Sequence, residues 1–217
     1  MGTRQQVALA WPNLVGYIRL ALVLVTFSRV SGDEPTTQKT AFFYTLNVLL
    51  DGLDGFLARA LGQVSVFGAT MDVLVDNLSR AMMWQLAVPS PWCVLPPFLE
   101  MLVFACTHAE GGAAWKEGCF AQAPPFIAAI MRAGFKTPLG ALTVAGLNFL
   151  PLSLWLRRRG GWPEALAWIG ALLPVEPLLG ALLLVGRLFA ATAELWILGR
   201  YFGGLLERDA ATWQKTS

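Results

Sequence analysis

Aspartates are concentrated in one short stretch of this 217-residue chain. Four of the six aspartates lie within a window of 26 residues, namely Asp51, Asp54, Asp72 and Asp76. The first two are three residues apart and the last two are four apart, so on helices each pair would share one face. Carboxylates grouped in this way can bind a divalent cation or transfer protons. The spacing therefore predicts a site for metal-assisted or acid–base chemistry.

A helical hairpin would bring the two aspartate pairs together. Gly62 lies between the two segments and suits a tight turn between helices. Folding about this turn places both pairs at matching depth, roughly 14 to 19 Å from the turn at about 1.5 Å per residue. Four convergent carboxylates repel one another unless a cation compensates their charge. An all-oxygen site favours Mg²⁺, Mn²⁺ or Ca²⁺ over zinc.

A purely structural ion-pair cluster is the alternative interpretation of the same residues. Arg59 and Arg80 lie in or beside the aspartate window and could neutralise two of the four carboxylates. This alternative explains why charge is buried, but it leaves two carboxylates unpaired and does not explain the matched spacing. A metal site is therefore the favoured hypothesis.

The segments that carry these residues are strongly apolar. Hydrophobic residues make up 56% of the chain and charged residues only 14%, whereas about a quarter of the residues in a soluble domain are charged. This pattern predicts an all-α, polytopic membrane protein. A formal charge of +2 argues against a nucleic-acid partner. Cys93, Cys106 and Cys119 show no CxxC pairing, so buried thiols are expected rather than a disulfide or a zinc site.

Long apolar blocks predict about six transmembrane helices in a single domain over residues 1–217. The expected segments are residues 14–30, 40–61, 66–88, 99–108, 137–156 and 178–202. The second and third segments carry the aspartates. Ionised side chains at membrane depth are costly and persist mainly where they pair or line a polar cavity, which again favours a functional site.

The stretch from Asp51 to Asp76 resembles the signature of the CDP-alcohol phosphotransferase family. That signature reads D-x2-D-G-x2-A-R-x8-G-x3-D-x3-D, and all eight of its fixed positions match. They are the four aspartates together with Gly55, Ala58, Arg59 and Gly68. The resemblance implies about six transmembrane helices around a polar active-site cavity that opens to the cytosol.

The resemblance also implies that the four aspartates bind a divalent metal, here Mg²⁺ or Mn²⁺. Asp51, Asp54 and Asp72 would serve as metal ligands. Asp76 would contact the metal and would also act as the catalytic base that takes the proton of the acceptor hydroxyl. The metal would reduce charge repulsion at the phosphorus and stabilise the departing CMP.

By the same resemblance, three residues of the hairpin would bind the CDP part of the donor lipid. They are Gly55, Arg59 and Ser65. Gly55 lets a nucleotide approach the helix backbone closely, and the forked guanidinium of Arg59 suits a pyrophosphate. Arg19, within the first apolar segment, leaves two interpretations open: it could face the donor phosphates or extend to the membrane surface.

Residues 12–19, with the sequence Pro-Asn-Leu-Val-Gly-Tyr-Ile-Arg, resemble the start of eukaryotic phosphatidylinositol synthases. The hairpin is similar too, including Leu-Leu-Asp at 49–51 and Ala-Arg-Ala-Leu at 58–61. This likeness implies transfer of the phosphatidyl group of CDP-diacylglycerol to myo-inositol, with release of CMP. It also implies contact with membrane lipids, a homodimer, and a place in the endoplasmic reticulum membrane. In the fourth segment the chain departs from those synthases, because it carries Glu100 and a single histidine, His108.

Two other functions stay open at this point. Another enzyme of the family would make phosphatidylglycerol phosphate, or would transfer phosphocholine or phosphoethanolamine to diacylglycerol. A phosphorylated acceptor would favour clustered lysines and arginines, of which this chain has few. A cation channel or transporter using the aspartates belongs to a different class, but an ion path gains nothing from Arg59 or from the glycine pattern.

The predicted topology places three consecutive arginines on the luminal side. If the aspartate hairpin opens to the cytosol, an even number of spans carries Arg157, Arg158 and Arg159 to the opposite face. This location runs against the tendency of basic residues to stay on the cytosolic side.

Overall fold

The computed structural model describes residues 3–30, 34–111, 123–160 and 175–216. These residues form helices and no β-strand, which confirms the predicted all-α class. The helices are α1 (Arg4–Ala8), α2 (Trp11–Ser28), α3 (Glu34–Ala60), α4 (Val66–Ala87), α5 (Leu95–Gly111), α6 (Pro125–Met131), α7 (Pro138–Arg158) and α8 (Val175–Thr216). A 3₁₀ turn at Pro91–Val94 precedes α5.

Within the described residues, four helices are long and apolar enough to cross a membrane, and the chain is an integral membrane protein. Their apolar ranges are Trp11–Ser28, Thr37–Ala60, Pro138–Arg158 and Glu176–Gln214. The other two predicted segments fall on α4, which carries three charged residues, and on α5, which has 17 residues. All six predicted segments are therefore helical, and the count of six spans stays a prediction. Large apolar side chains such as Phe42, Leu49 and Phe56 are exposed, as lipid-facing residues would be.

The chain divides into two compact units. One comprises Met1–Pro97 and Asn148–Gly180, and the other comprises Phe98–Leu147 and Ala181–Ser217. The single domain expected over residues 1–217 stays a prediction.

In the first unit, α2 packs against both α3 and α4. Its buried apolar cluster consists of Tyr44, Met83, Ala87, Leu152, Trp155 and Leu156. Polar contacts cross this core: the Tyr44 hydroxyl donates to the carbonyl oxygen of Asn148 at 2.7 Å, and Asn47 Nδ2 donates to Ser79 Oγ at 3.2 Å. Because lipid is as apolar as these side chains, close packing and such hydrogen bonds hold the helices together.

The turn between α3 and α4 centres on Gly62, as the sequence predicts. Gly62 has a φ of +63°, a conformation that costs a residue with a Cβ atom free energy. The Gln63 amide donates to the Ala58 carbonyl at 2.9 Å, and the Gly62 amide donates to the Arg59 carbonyl at 3.4 Å. These two bonds form a Schellman motif, which ends α3 and reverses the chain.

In the second unit, helices α7 and α8 approach each other closely at two glycines. A Cβ atom added to Gly146 would overlap the backbone of Arg187 and Gly186, and one added to Gly186 would overlap the carbonyl oxygen of Leu142. Small residues at such crossings let the backbones approach within a membrane. The buried apolar cluster of this unit consists of Val103, Cys106, Ile197 and Leu198.

The predicted thiols are confirmed where the structure describes them. Cys93 and Cys106 are free cysteines, the first partly buried and the second buried. Cys119 lies outside the described residues.

Candidate active site

The four aspartates of the signature converge in the α3–α4 hairpin. Asp51, Asp72 and Asp76 each have a carboxylate oxygen that lies within 4.8 Å of the corresponding oxygens of the other two. Asp54 lies outside this group of three and is more deeply buried, with 7% of its surface exposed. The convergence predicted from the spacing is therefore confirmed.

A single guanidinium from α2 sits among these carboxylates. Nη1 of Arg19 lies 3.1 Å from Asp51, 2.7 Å from Asp54 and 2.6 Å from Asp72. Nη2 of Arg19 donates to Asp76 Oδ1 at 2.5 Å. The Arg19 side chain is fully buried, and the Asp54 side chain is nearly so, so water screens this pair less than the pairs with the more exposed Asp51 and Asp72. Arg19 therefore links α2 to both helices of the hairpin.

Arg19 is fully buried and turns inward onto the carboxylates, so the interpretation that it extends to the membrane surface is wrong. The interpretation that it faces the donor phosphates stays a prediction. The sequence held one usable signal: Arg19 is the only charged residue in α2, and a charge within a membrane helix needs a partner. The sequence could not identify that partner, because the packing of α2 against the hairpin depends on contacts between distant residues.

A second arginine holds the other oxygen of Asp76. Arg80 Nη1 donates to Asp76 Oδ2 at 3.0 Å and to Asn148 Oδ1 at 3.2 Å. Nη2 of Arg80 donates to Asn77 Oδ1 at 3.3 Å. Asp76 is thus fixed between two guanidinium groups, Arg19 at one oxygen and Arg80 at the other.

Gly55 and Arg59 lie together on the last turns of α3. A Cβ atom added to Gly55 would be 3.4 Å from Arg59 Nη1, so the guanidinium covers the bare backbone of the glycine. Arg59 is exposed, and within the described residues it contacts no carboxylate. It is therefore accessible to an anionic group.

Ser65 caps the first turn of α4. Its Oγ accepts a hydrogen bond from the Gly68 amide at 3.0 Å, which satisfies one of the free amide groups at a helix N-terminus. Gly68 is a fixed position of the signature to which the sequence assigned no role. A Cβ atom there would be 2.6 Å from Asn13 Oδ1 and 3.1 Å from Ser65 Oγ, so Gly68 makes room for the start of α2.

Contacts from the start of α2 fix this turn in place. The Trp11 amide donates to Gln63 Oε1 at 3.2 Å, so a residue of the turn caps α2. Asn13 is 4% exposed, and its Nδ2 donates to the Val7 carbonyl at 2.6 Å. Sequence reasoning gave Asn13 no function beyond the resemblance of residues 12–19, because its contact with Gly68 joins distant parts of the chain.

The donor atoms of the cluster fit a hard divalent cation. Three carboxylate oxygens within 4.8 Å of one another form the kind of oxygen-only set that Mg²⁺ and Mn²⁺ prefer. With all groups ionised, four aspartates carry −4 and the two arginines that contact them carry +2. The purely structural alternative therefore leaves a formal charge of −2, and Arg59 contributes nothing to its neutralisation.

Comparison with protein families agrees with the signature. The CDP-alcohol phosphatidyltransferase family matches this chain over residues 9–175, which includes α2, the hairpin and α7. The chain belongs to this family. No solved structure matches it.

Curated relatives resemble the chain over a shorter part. A yeast (Saccharomyces cerevisiae) protein is 40% identical over 85 residues, which cover 38% of this chain and 37% of the relative. An Arabidopsis thaliana protein is 39% identical over 70 residues, covering 32% and 30%. A human protein is 35% identical over 98 residues, covering 45% of each. All three are named CDP-diacylglycerol–inositol 3-phosphatidyltransferase, and the chain spans less than half the length of each.

The two unusual residues of the fourth segment have partners in the second unit. Glu100 is buried and lies 3.7 Å from Arg187, which also binds Glu194 at 2.9 Å. The His108 ring lies against Phe104, with ring centroids 4.4 Å apart. Glu100 therefore belongs to a buried ion-pair group of this unit.

Proposed function

We propose that this protein is an enzyme that transfers the phosphatidyl group of CDP-diacylglycerol to myo-inositol and releases CMP. The activity would make it a CDP-diacylglycerol–inositol 3-phosphatidyltransferase. The observation that carries the proposal is the convergent cluster of Asp51, Asp72 and Asp76 in a chain of the CDP-alcohol phosphatidyltransferase family. The choice of inositol is supported by the names of the relatives that share the hairpin.

The reaction requires a hydroxyl oxygen of inositol to attack the phosphorus that carries the diacylglycerol. A new phosphorus–oxygen bond forms, the bond to the CMP phosphate breaks, and CMP leaves with the electron pair. The proton of the attacking hydroxyl passes to Asp76. Both of its oxygens are held by arginines, yet each keeps a second lone pair that can accept a proton, so the carboxylate is oriented without being blocked.

Three residues around the hairpin turn would hold the CDP part of the donor. The exposed guanidinium of Arg59 can donate two parallel hydrogen bonds to a pyrophosphate. Gly55, which has no Cβ atom, would leave the helix backbone open to close approach once the Arg59 guanidinium turns from it to the pyrophosphate. Ser65 stands at the N-terminus of α4, where amide groups and the helix dipole favour an anionic group.

Asp51, Asp54 and Asp72, together with Asp76, would hold Mg²⁺ or Mn²⁺. A bound divalent cation supplies positive charge next to the phosphates and stabilises the negative charge that develops on departing CMP. The formal charge of −2 that remains on the cluster after its two arginines favours such a cation.

Several properties of the whole protein are part of the same proposal. The single transmembrane domain of residues 1–217 would lie in the endoplasmic reticulum membrane, in contact with lipids, with its active site facing the cytosol. The protein would form a homodimer. The four helices suited to crossing a membrane support the membrane part of this proposal.

An acceptor panel tests the activity. Purified protein is incubated with labelled CDP-diacylglycerol and Mg²⁺ or Mn²⁺, and with myo-inositol, glycerol 3-phosphate, serine or diacylglycerol. Phosphatidylinositol and CMP are expected with inositol alone, because a site that hydrogen-bonds a polyol rejects acceptors without the matching hydroxyls. The Asp51→Asn variant is the matched control for contaminating activity.

The outcomes separate the parts of the proposal. Product with glycerol 3-phosphate or diacylglycerol only would reject inositol and keep the family chemistry. Excess EDTA should abolish the reaction, and added Mg²⁺ or Mn²⁺ should restore it. Full turnover after removal of all divalent metal would reject the metal site.

A further inference from the structure

Arg19 forms ion pairs with all four signature aspartates, and its own side chain is fully buried. Its two terminal nitrogens contact oxygens of Asp51, Asp72 and Asp76, the three residues whose oxygens cluster within 4.8 Å. A cation bound by these three carboxylates would compete with the guanidinium that now contacts all of them. A guanidinium and a divalent cation at the same carboxylates repel each other strongly at this distance.

We propose that Arg19 is a built-in counter-ion of the aspartate cluster, which competes with the divalent cation and must leave these oxygens for the cation to bind. The inference rests on the metal site of the proposed function. Arg19 holds the four carboxylates together when no divalent cation is bound. When a divalent cation binds, it replaces the singly charged guanidinium of Arg19 at the carboxylates. The guanidinium is then free to contact another anion.

The hydrogen bonds of Arg19 support its release. Only the two terminal nitrogens are bound, while the buried Nε finds no acceptor among the described residues. An unsatisfied buried donor raises the free energy of this arrangement. Arg80 differs, since it also donates to Asn77 and Asn148 and would keep those partners if Asp76 turned toward a cation.

The release of Arg19 also bears on substrate binding, through the charges of the aspartate cluster and of the donor diphosphate. Once Arg19 has left, the four aspartates and Arg80 carry a formal −3, so one divalent cation brings the cluster to −1 and a second brings it to +1. The diphosphate of a CDP-linked lipid carries about −2 near neutral pH. A guanidinium released from the aspartates would add to the positive charge available for that diphosphate.

Metal binding by the full chain in detergent, without substrate, tests the proposal. Free Mn²⁺ is measured by its electron paramagnetic resonance signal in titrations of the wild type, Arg19→Gln and Arg19→Lys. Arg19→Gln removes the competitor and should bind Mn²⁺ at least about tenfold more tightly. Arg19→Lys keeps the charge but loses the fork that reaches several carboxylates, so its affinity should lie between the other two.

Arg29→Gln is the matched control. Arg29 directly follows the same helix α2 and is exposed, so its loss removes one positive charge without touching the aspartates. Its Mn²⁺ affinity should equal that of the wild type. A second readout is the rise in unfolding temperature with Mn²⁺, which should be larger for Arg19→Gln than for the wild type, because the variant lacks its internal counter-ion.

Each result decides the question. If Arg19→Gln binds Mn²⁺ no more tightly than the wild type, Arg19 does not compete with the cation. Mn²⁺ binding by the wild type would in that case still support the metal site of the proposed function. If neither protein binds Mn²⁺, the metal site of the proposed function fails as well. An Arg19→Gln chain that is recovered folded only with Mn²⁺ supports the proposal, and one that cannot be recovered even with Mn²⁺ contradicts it.

Discussion

Each oxygen of Asp76 faces a different arginine, Arg19 at Oδ1 and Arg80 at Oδ2. Arg80 is also anchored by Asn77 and Asn148, so it continues to orient Asp76 when Arg19 leaves for the cation. A general base must first lie within hydrogen-bond reach of the proton that it accepts, and only then does its pKa determine how well it works. Asp51 has no comparable support, since Arg19 is its one basic partner among the described residues. The geometry therefore favours Asp76 over Asp51 as the base.

Asp76→Asn should lower turnover by roughly 10² to 10⁴-fold and leave CDP-diacylglycerol binding largely intact. Asparagine keeps the shape but cannot take the proton, and Arg80 keeps Asn77 and Asn148 as partners. Turnover and binding of labelled donor are measured separately. Asp209→Asn, at an exposed position of α8, is the control. A near-normal rate in Asp76→Asn would show that another group is the base.

Arg59 should act on donor binding and not on metal binding, because it touches none of the aspartates. Arg59→Gln should raise the KM for CDP-diacylglycerol by about tenfold, the effect of losing a forked contact to a phosphate. Arg59→Lys should recover only part of this loss, since it keeps the charge without the fork. Initial rates at varied donor concentration give both KM values, and Mn²⁺ titration should be unchanged. An unaltered KM in Arg59→Gln would remove Arg59 from the donor site.

Helix boundaries show which elements local sequence can predict. The segment predicted at 66–88 is observed as Val66–Ala87, because Ser65 gives a clear N-cap and the Gly62 turn precedes it. The segment predicted at 99–108 is observed as Leu95–Gly111. Pro96 and Pro97 lie in the first turn of α5, where proline removes no helical hydrogen bond.

The C-terminal helix also extends beyond the predicted segment. The apolar segment is predicted to end at residue 202, and α8 continues to Thr216. Hydropathy identifies the part of a helix that suits lipid, and it does not mark where helical hydrogen bonding stops.

The hairpin could be predicted because its partners are close in sequence. The contacts of Arg19 and Asn13 could not, because they depend on tertiary packing.

Gly62→Ala should destabilise the first unit by about 1 kcal/mol, because the alanine must adopt the left-handed conformation of this turn. The expected result is a lower unfolding temperature in detergent, with loss of activity at temperatures where the wild type still works. Gly203→Ala is the control: Gly203 lies within α8 with open space around it, where alanine suits the helix. Equal stability of Gly62→Ala and the wild type would contradict the role given to this turn.

On the scale of the whole chain, the length of α4 separates the Gly62 turn from the arginines that end α7. α4 has 22 residues, or about 33 Å at 1.5 Å per residue, close to the thickness of the hydrocarbon core. Its N-terminal end follows the Gly62 turn. At its C-terminal end, Arg158 Nη1 donates to the carbonyl oxygens of Leu86 and Ala87 at 3.3 and 3.2 Å. The arginines that end α7 therefore lie at the end remote from the turn.

With the turn facing the cytosol, as proposed, this geometry puts Arg157–Arg159 on the luminal side, the location that the sequence predicts against the positive-inside tendency. The contacts of Arg158 offer a reason. A basic residue beside the last carbonyl groups of a helix is stabilised by the helix dipole. Arg157 and Arg158 are the last residues of α7, and the charge of Arg158 stabilises the C-terminal end of α4.

Cysteine labelling in sealed microsomes, whose outer face is cytosolic, tests this topology. In a chain with Cys93, Cys106 and Cys119 replaced by alanine, Val64→Cys should react with a membrane-impermeant maleimide at once, because Val64 is 70% exposed in the turn. Arg157→Cys should react only after the membrane is permeabilised. The cysteine-free chain is the control for background labelling.

The reverse labelling pattern would place the active site on the luminal side. Labelling of both positions before permeabilisation would show that α4 does not cross the membrane, because a helix of that length that spans the bilayer separates its ends by the whole hydrocarbon core.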